Sequence, residues 1–279
     1  MIPRSYYVAN SAMIPCSASD LDSDPRGIIW IFEEPDPRGV YVMGVDPSGG
    51  IPLWNRYART DSDHRTDNGA IQILKVGRGE EIPDKQVCEF AAPIDPEDLG
   101  EVANIVGRVY GGSSEEGQAK AIIEIQPGPG LLTQRKLISY GYTNLFVWSY
   151  LDGATLTRTN TMGWTSTPRT QRDLWLRSSR HMIHGLCDLS SPWLIEEMAD
   201  AEMNMAKMRA QSVYGKHDDR LMALMLAIWC AREWSLDVET VPSDLRTDAK
   251  PVDPQACDMT YSQMMDQWEE QFCALGEER

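Results

Sequence analysis

Four acidic residues stand where apolar runs begin or end. Asp46 closes the run VYVMGVD (40–46), after which Pro47-Ser48-Gly49-Gly50 turns the chain away. Glu124 follows Ile122 and Ile123 in AIIEIQPGPG, and a Pro-Gly-Pro-Gly break comes after it. Asp218 and Asp219 open the apolar stretch of YGKHDDRLMALMLAIW. A carboxylate set among apolar neighbours is costly unless it is paired or holds a metal. Three or four such groups can hold two divalent ions about 4 Å apart, which activate water and stabilise the leaving oxygen of a phosphodiester. Oxygen-rich ligation suits Mg²⁺ or Mn²⁺ rather than zinc. Each group also has a plainer reading. Glu124 can face solvent from an edge strand, and an aspartate at a helix start can cap free N–H groups for about 1 kcal/mol. Capping accounts for one aspartate of the pair better than for both.

The elements that must position these groups follow from periodicity. Residues 1–26 read as an irregular, turn-rich lead-in. Alternating runs at 27–35, 40–46, 69–77 and 86–91 predict strands, and 50–67 reads as loop. At Asp95 the period changes. Leu99, Val102, Ile105, Val106 and Val109 share one face of a predicted helix, with Pro96 in its first turn and glycines closing it. A strand at 120–126, a helix ending at Gly141 and a strand at 144–150 follow, with helices at 168–183, 192–200 and 217–234. YLDGATLTRTN reads as a hairpin turning at Asp152-Gly153. Strands first, then alternating helices and strands, predict an α/β fold with a mixed sheet covered by helices.

Hydrophobic content of 42% and charged content of 24% are ordinary for a globular chain of 279 residues. No apolar stretch is long enough to span a bilayer; the longest, 221–231, falls well short. The six cysteines (Cys16, Cys88, Cys187, Cys230, Cys257, Cys273) form no CxxC pair, which argues against a zinc site and for a reducing, cytosolic setting. The net charge of −16 is unevenly spread. Half of it lies in residues 235–279, with 11 acids and three bases, whereas Arg158, Arg169, Arg172, Arg177 and Arg180 face only Asp173 between 158 and 180. An acidic total does not exclude a DNA substrate, because carboxylates that bind metal add to the negative count.

The ordered set YVMGVDPSGG, IIEIQPGPG, GWTSTPRTQR and YGKHDDRLMALMLA resembles the C-terminal nuclease domain of the large terminase subunit of tailed bacteriophages, over residues 27–234. HDD followed by an alanine-containing apolar helix is its most specific piece, and GVD plus small residues its weakest. The resemblance implies an RNase H-like fold, with a mixed central β-sheet flanked by helices. It also implies a metal-dependent DNA endonuclease that cleaves concatemeric viral DNA during genome packaging in the host cell cytoplasm, by two-metal-ion hydrolysis. Asp46 matches the first metal ligand, Glu124 the acid of the family's Glu-x-Asn-x-x-Gly pattern, and Asp218 and Asp219 the closing pair. Gln126 stands where that pattern has asparagine. GWTSTPRTQR matches a Gly-Trp-x-Thr segment followed by arginine. Thr165, Ser166 and Thr167 can cap the next helix or touch phosphate, and Arg169 and Arg172 can reach a DNA backbone. Arg158, Lys216 and Arg220 complete the candidate DNA-binding set; the alternative is a capped surface helix with solvated arginines. Implied partners are double-stranded DNA, the portal protein, the small terminase subunit and an ATPase motor domain, whose GxxxxGK[ST] phosphate loop does not occur in this sequence. No membrane partner is implied.

Other readings remain. A resolvase or transposase-like RNase H-fold nuclease also uses spaced carboxylates. An actin-like phosphotransferase would use GVDPSGG as a phosphate loop and need a second one, which the sequence lacks. A packaging or portal-docking module would use its carboxylates only as caps. In the acidic tail 235–279, Tyr261, Met264, Met265, Trp268 and Phe272 recur at helical spacing and predict an amphipathic helix. His217 reads as a neighbour of the helix cap. His181 and His184 have ligand spacing without a partner cluster, and the methionines between 198 and 225 read as core filling.

Overall fold

The computed structural model describes residues 4–9, 12–15, 28–48, 68–78, 81–125, 128–151, 158–199, 201–204, 209–212 and 218–238. The chain forms two units, Met1–Leu236 and Asp237–Arg279. The predicted tail helix and the predicted loop at 50–67 lie outside the described residues.

The fold is mixed α/β, a mixed sheet flanked by five helices among the described residues. Its centre is an antiparallel set: β4 (Tyr41–Asp46) pairs β5 (Gly69–Lys75), and β5 pairs β6 (Asp84–Ala92). On the far side of β6 come β3 (Ile29–Ile31), β1 (Arg4–Ala9) and β2 (Ala12–Pro15). On the other side β7 (Lys120–Ile123) joins β4 in parallel, with Val45 opposite Ile123. The lead-in 1–26, expected to be irregular, therefore contributes two strands to the sheet. They are short strands at the sheet edge, held by pairing with one another and with β3 and by Tyr6 and Met13 packed against the core.

Beyond β7 the backbone continues through two further segments. Phe146 donates to the Ala121 carbonyl (2.8 Å), Gly163 to Phe146 (2.9 Å) and Trp164 to Ile123 (2.8 Å). Between them β8 (Val147–Leu151) and β9 (Arg158–Met162) form the predicted hairpin. Its ladder closes at Leu151–Arg158, and Asp152-Gly153 lies outside the described residues. Two smaller pairings were not anticipated: β10 (Cys187–Asp188) runs parallel to β6, and β11 (Ala201–Asn204) pairs β12 (Arg209–Ser212).

The helices form where the capping signals stand. In α1 (Pro96–Val109) the Asp95 carboxylate accepts from the Glu97 amide and Pro96 occupies the first turn. Leu99, Val102, Ile105 and Val106 are buried as predicted, while Val109 is exposed at the helix end. Then come α2 (Pro129–Ser139) and α3 (Pro168–Ile183), the latter opened by a reciprocal Thr167–Thr170 capping box. α4 (Pro192–Ala199) and α5 (Asp219–Val238) complete the set.

Period-two alternation divides the core between the two faces of the sheet. Met43, Val45, Ile71, Ile73, Ala121 and Ile123 pack with Leu99, Val102 and Val106 of α1. Val42, Leu74 and Ile122 face the other way, against Leu221, Leu224, Ala227 and Ile228 of α5. Gly44 lies between Val42 and Asp46 on the α5 face. A Cβ built there would stand 2.0 Å from the Ala223 carbonyl oxygen and 2.6 Å from the Ala227 amide. Asp219, Ala223 and Ala227 recur every four residues, so one stripe of α5 lies along the Val42–Gly44–Asp46 stripe of β4. Gly44→Ala is expected to force the two apart and cost about 1–3 kcal/mol or more in urea denaturation. An unchanged midpoint would show that the contact has room to spare.

Candidate active site

Asp46 and Glu124 end neighbouring parallel strands on the same face. The Glu124 amide donates to the Val45 carbonyl (3.0 Å), which places the two acids side by side at the carboxyl ends of β4 and β7. Asp46 is half-buried and Glu124 is 1% exposed. Burial is the largest cause pushing Asp46 well above the ordinary carboxylate range, followed by the charge and hydrogen bond of Glu124, then by Asp219 and Asp218. The sequence-predicted acids thus come together from three separate elements.

The two aspartates at the head of α5 differ. The Asp218 carbonyl accepts the Met222 amide (2.8 Å), so the first helical turn begins on Asp218. Asp219 is 8% exposed, and its Oδ2 accepts from both the backbone amide (2.9 Å) and the Nδ2 (3.2 Å) of Asn68, at the head of β5. With Asp46 opposite Ala70 in the β4–β5 ladder, Asn68 stands beside the carboxylates. Asp219 is the more deeply set member of the pair and presses harder on Asp46.

Glu124 has its own support. The segment Gly163-Trp164-Thr165-Ser166 runs alongside the end of β7, where Ile125 donates to the Trp164 carbonyl (2.6 Å), and the Ser166 hydroxyl donates to Glu124 Oε1. Gly163 has φ +85°, and a Cβ there would lie 2.6 Å from the Ile123 carbonyl oxygen, so both conformation and space call for glycine. The Trp164 ring packs edge-on between Trp148 of β8 and Trp229 of α5, each 4.7 Å away. Thr167 caps α3, while Ser166 turns inward to Glu124.

The remaining candidates separate. Arg169 and Arg172 are exposed on the first turns of α3, where Arg172 lies 3.8 Å from Asp173. Arg158 is on β9, with its side chain outside the described residues, as is Lys216 altogether. Arg220 is occupied inside the protein instead of standing ready for DNA: its Nε donates to Glu89 Oε1 (3.1 Å) and its Nη1 to Glu197 Oε2 (3.3 Å). The reason is its place one residue past Asp219, which points it at the sheet. His184 is exposed, whereas His181 forms a buried 2.8 Å pair with Asp84, near the β6 end remote from Ala91 and Ala92.

Sequence reading missed Asn68, Glu89 and Glu197. Glu89 sits in a strand recognisable from the sequence, and its burial at an alternating position was the one available signal.

Among the described residues no group of three or more His, Cys, Asp and Glu side chains is gathered tightly enough to hold a metal ion. The donor set nevertheless fits a hard divalent cation. It is made of carboxylate oxygens, and the pressure of three neighbouring acids on Asp46 is what a bound cation relieves. For the free chain the unfolded state releases the Asp46 proton at the ordinary carboxylate pH and the folded state only well above it. That contribution to stability therefore falls as pH rises through this window. In EDTA at pH 8, Asp46→Asn is expected to melt above the unaltered chain, by about 2–4 °C for each kcal/mol relieved. The gap should shrink toward pH 4, and equal melting at both pH values would show that the acids do not press on one another. Neither a comparison with protein-family models nor one with curated proteins finds a match for this chain.

Proposed function

We propose that the chain is a metal-dependent DNA endonuclease of RNase H-like fold, of the kind that cuts concatemeric viral DNA during genome packaging. The observation that carries this reading is the meeting of Asp46, Glu124, Asp218 and Asp219 at the ends of β4, β7 and α5. The mixed sheet, with β7 parallel to β4 and α5 laid across them, supports the fold assignment.

In this reading Asp46, Glu124 and Asp219 bind Mg²⁺ or Mn²⁺, with Asp218 at the rim. Divalent ions held there would supply Lewis-acid stabilisation of phosphate charge and lower the pKa of water. Asn68 and Ser166 hold Asp219 and Glu124 in orientation through the bonds described above. Arg169 and Arg172 take the DNA backbone. Contacts of that kind carry no base information, so cutting has low sequence specificity. An ATPase motor, the portal protein and the small terminase subunit are the partners this reading calls for.

The other reading is a non-catalytic packaging or portal-docking module in which the acids serve the fold, as Asp219 does in accepting both Asn68 donors. Plasmid cleavage by the purified chain in Mn²⁺, Mg²⁺ or EDTA, beside Asp46→Asn and Asp219→Asn, decides between them. The expected result is cutting that needs the ion and falls at least about 1,000-fold in both variants, a loss well within what metal-assisted catalysis supplies. No cutting with any ion, together with no heat of Mn²⁺ binding, would leave the docking module standing.

A further inference from the structure

Beneath the head of α5 lies a second group of charged side chains that the proposed chemistry does not use. Glu89 on β6 has a side chain 1% exposed and Glu197 on α4 one 6% exposed, with Arg220 between them at 23%. Glu89 Oε2 also accepts from Gln72 Nε2 of β5 (2.8 Å) and Gln86 Nε2 of β6 (3.3 Å). Gln86 Oε1 accepts the amides of Ser190 (2.7 Å) and Ser191 (2.8 Å), just before α4. The other oxygen of Glu197 accepts the Leu221 amide (2.9 Å), a first-turn N–H of α5 with no partner within its own helix. Two strands, one loop and one helix thus converge on two consecutive residues, Arg220 and Leu221.

Those residues directly follow Asp219. Successive helix positions are turned about 100° apart, so fixing Arg220 toward Glu89 and Glu197 fixes the direction of Asp219. Buried ion pairs add little net stability over apolar packing, because desolvation offsets the attraction, and in some proteins their role is to select one geometry. We propose that Glu197 and Arg220 are positioning residues, which hold the first turn of α5 in the rotation that presents Asp219 to Asp46 and Glu124. The cation half of this proposal rests on the nuclease reading above; the rotational half does not.

Glu197→Gln keeps an oxygen for the Leu221 amide and removes the charge facing Arg220. Arg220→Lys keeps the charge but not the fork that spans two carboxylates, and it covers the case in which Glu197→Gln fails to fold. Glu233→Gln is the control: it removes an exposed pair with Arg177 (2.7 Å) farther along the same helix. Three readouts are needed on the full chain: amide hydrogen exchange, calorimetric Mn²⁺ binding, and melting in EDTA. Glu197→Gln and Arg220→Lys should speed exchange at residues 219–222 and weaken Mn²⁺ binding by between about 10- and 100-fold, with both variants folded and Glu233→Gln unaffected in both respects. A folded variant with lower melting temperature but unchanged exchange at 219–222 and unchanged Mn²⁺ affinity would show a structural brace only and overturn the proposal. If the unaltered chain binds no Mn²⁺, the nuclease reading and the cation half fall together, and the exchange data still accept or reject the rotational half.

Discussion

The constraint on which the site depends is the close approach of α5 to β4 at Gly44. A helix lying on a sheet is ordinarily held off by side chains from both. Here the strand presents no side chain at the crossing, and Ala223 and Ala227 bring the helix backbone to where a Cβ would stand. One helical turn before that crossing sits Asp219, and two residues along the strand sits Asp46. Both are carried to the same end of the sheet by a contact that neither of them makes. Parallel pairing of β4 with β7 then adds Glu124 beside Asp46 through the Val45 carbonyl.

Two groups of buried charge lie on this face, and they are balanced differently. Glu89 and Glu197 share a guanidinium and several amide donors, so their charge is met from within the chain. Burial pushes Glu197 up to about 7, against the pull of the Leu221 amide and Arg220, so the balance there is incomplete. At the other group Asn68 donates to Asp219 and Ser166 to Glu124, while burial and then the neighbouring acids push Asp46 well above the ordinary carboxylate range. Acids that raise one another's proton affinity are suited to a cation, which relieves the same repulsion.

Gly163-Trp164-Thr165-Ser166 joins these parts. Its backbone extends the sheet beyond β7, its indole packs between Trp148 and Trp229, and its serine reaches Glu124. Immediately afterwards Thr167 starts α3, which carries Arg169 and Arg172. The same short stretch therefore anchors a carboxylate and launches the exposed arginines, which ties the position of the proposed backbone contacts to that of the acids.

The sequence by itself determined what depends on neighbours along the chain. Alternation in VYVMGVD put residues 42, 44 and 46 on one face, a proline after a capping residue started α1 and α3, and apolar spacing marked α5 within a few residues. The four acids were legible for the same reason, because each interrupts a local pattern at the end of its element. Tertiary structure decided what depends on residues far apart. Asn68 meets Asp219 across 151 residues, and Arg220 meets Glu89 across 131. No local period records either pairing, and an arginine beside an aspartate pair reads from sequence as a DNA contact until the fold turns it inward. The β1–β2 hairpin escaped notice for a related reason: its pairing with β3 and the packing of Tyr6 and Met13 on the core join residues that no local period links.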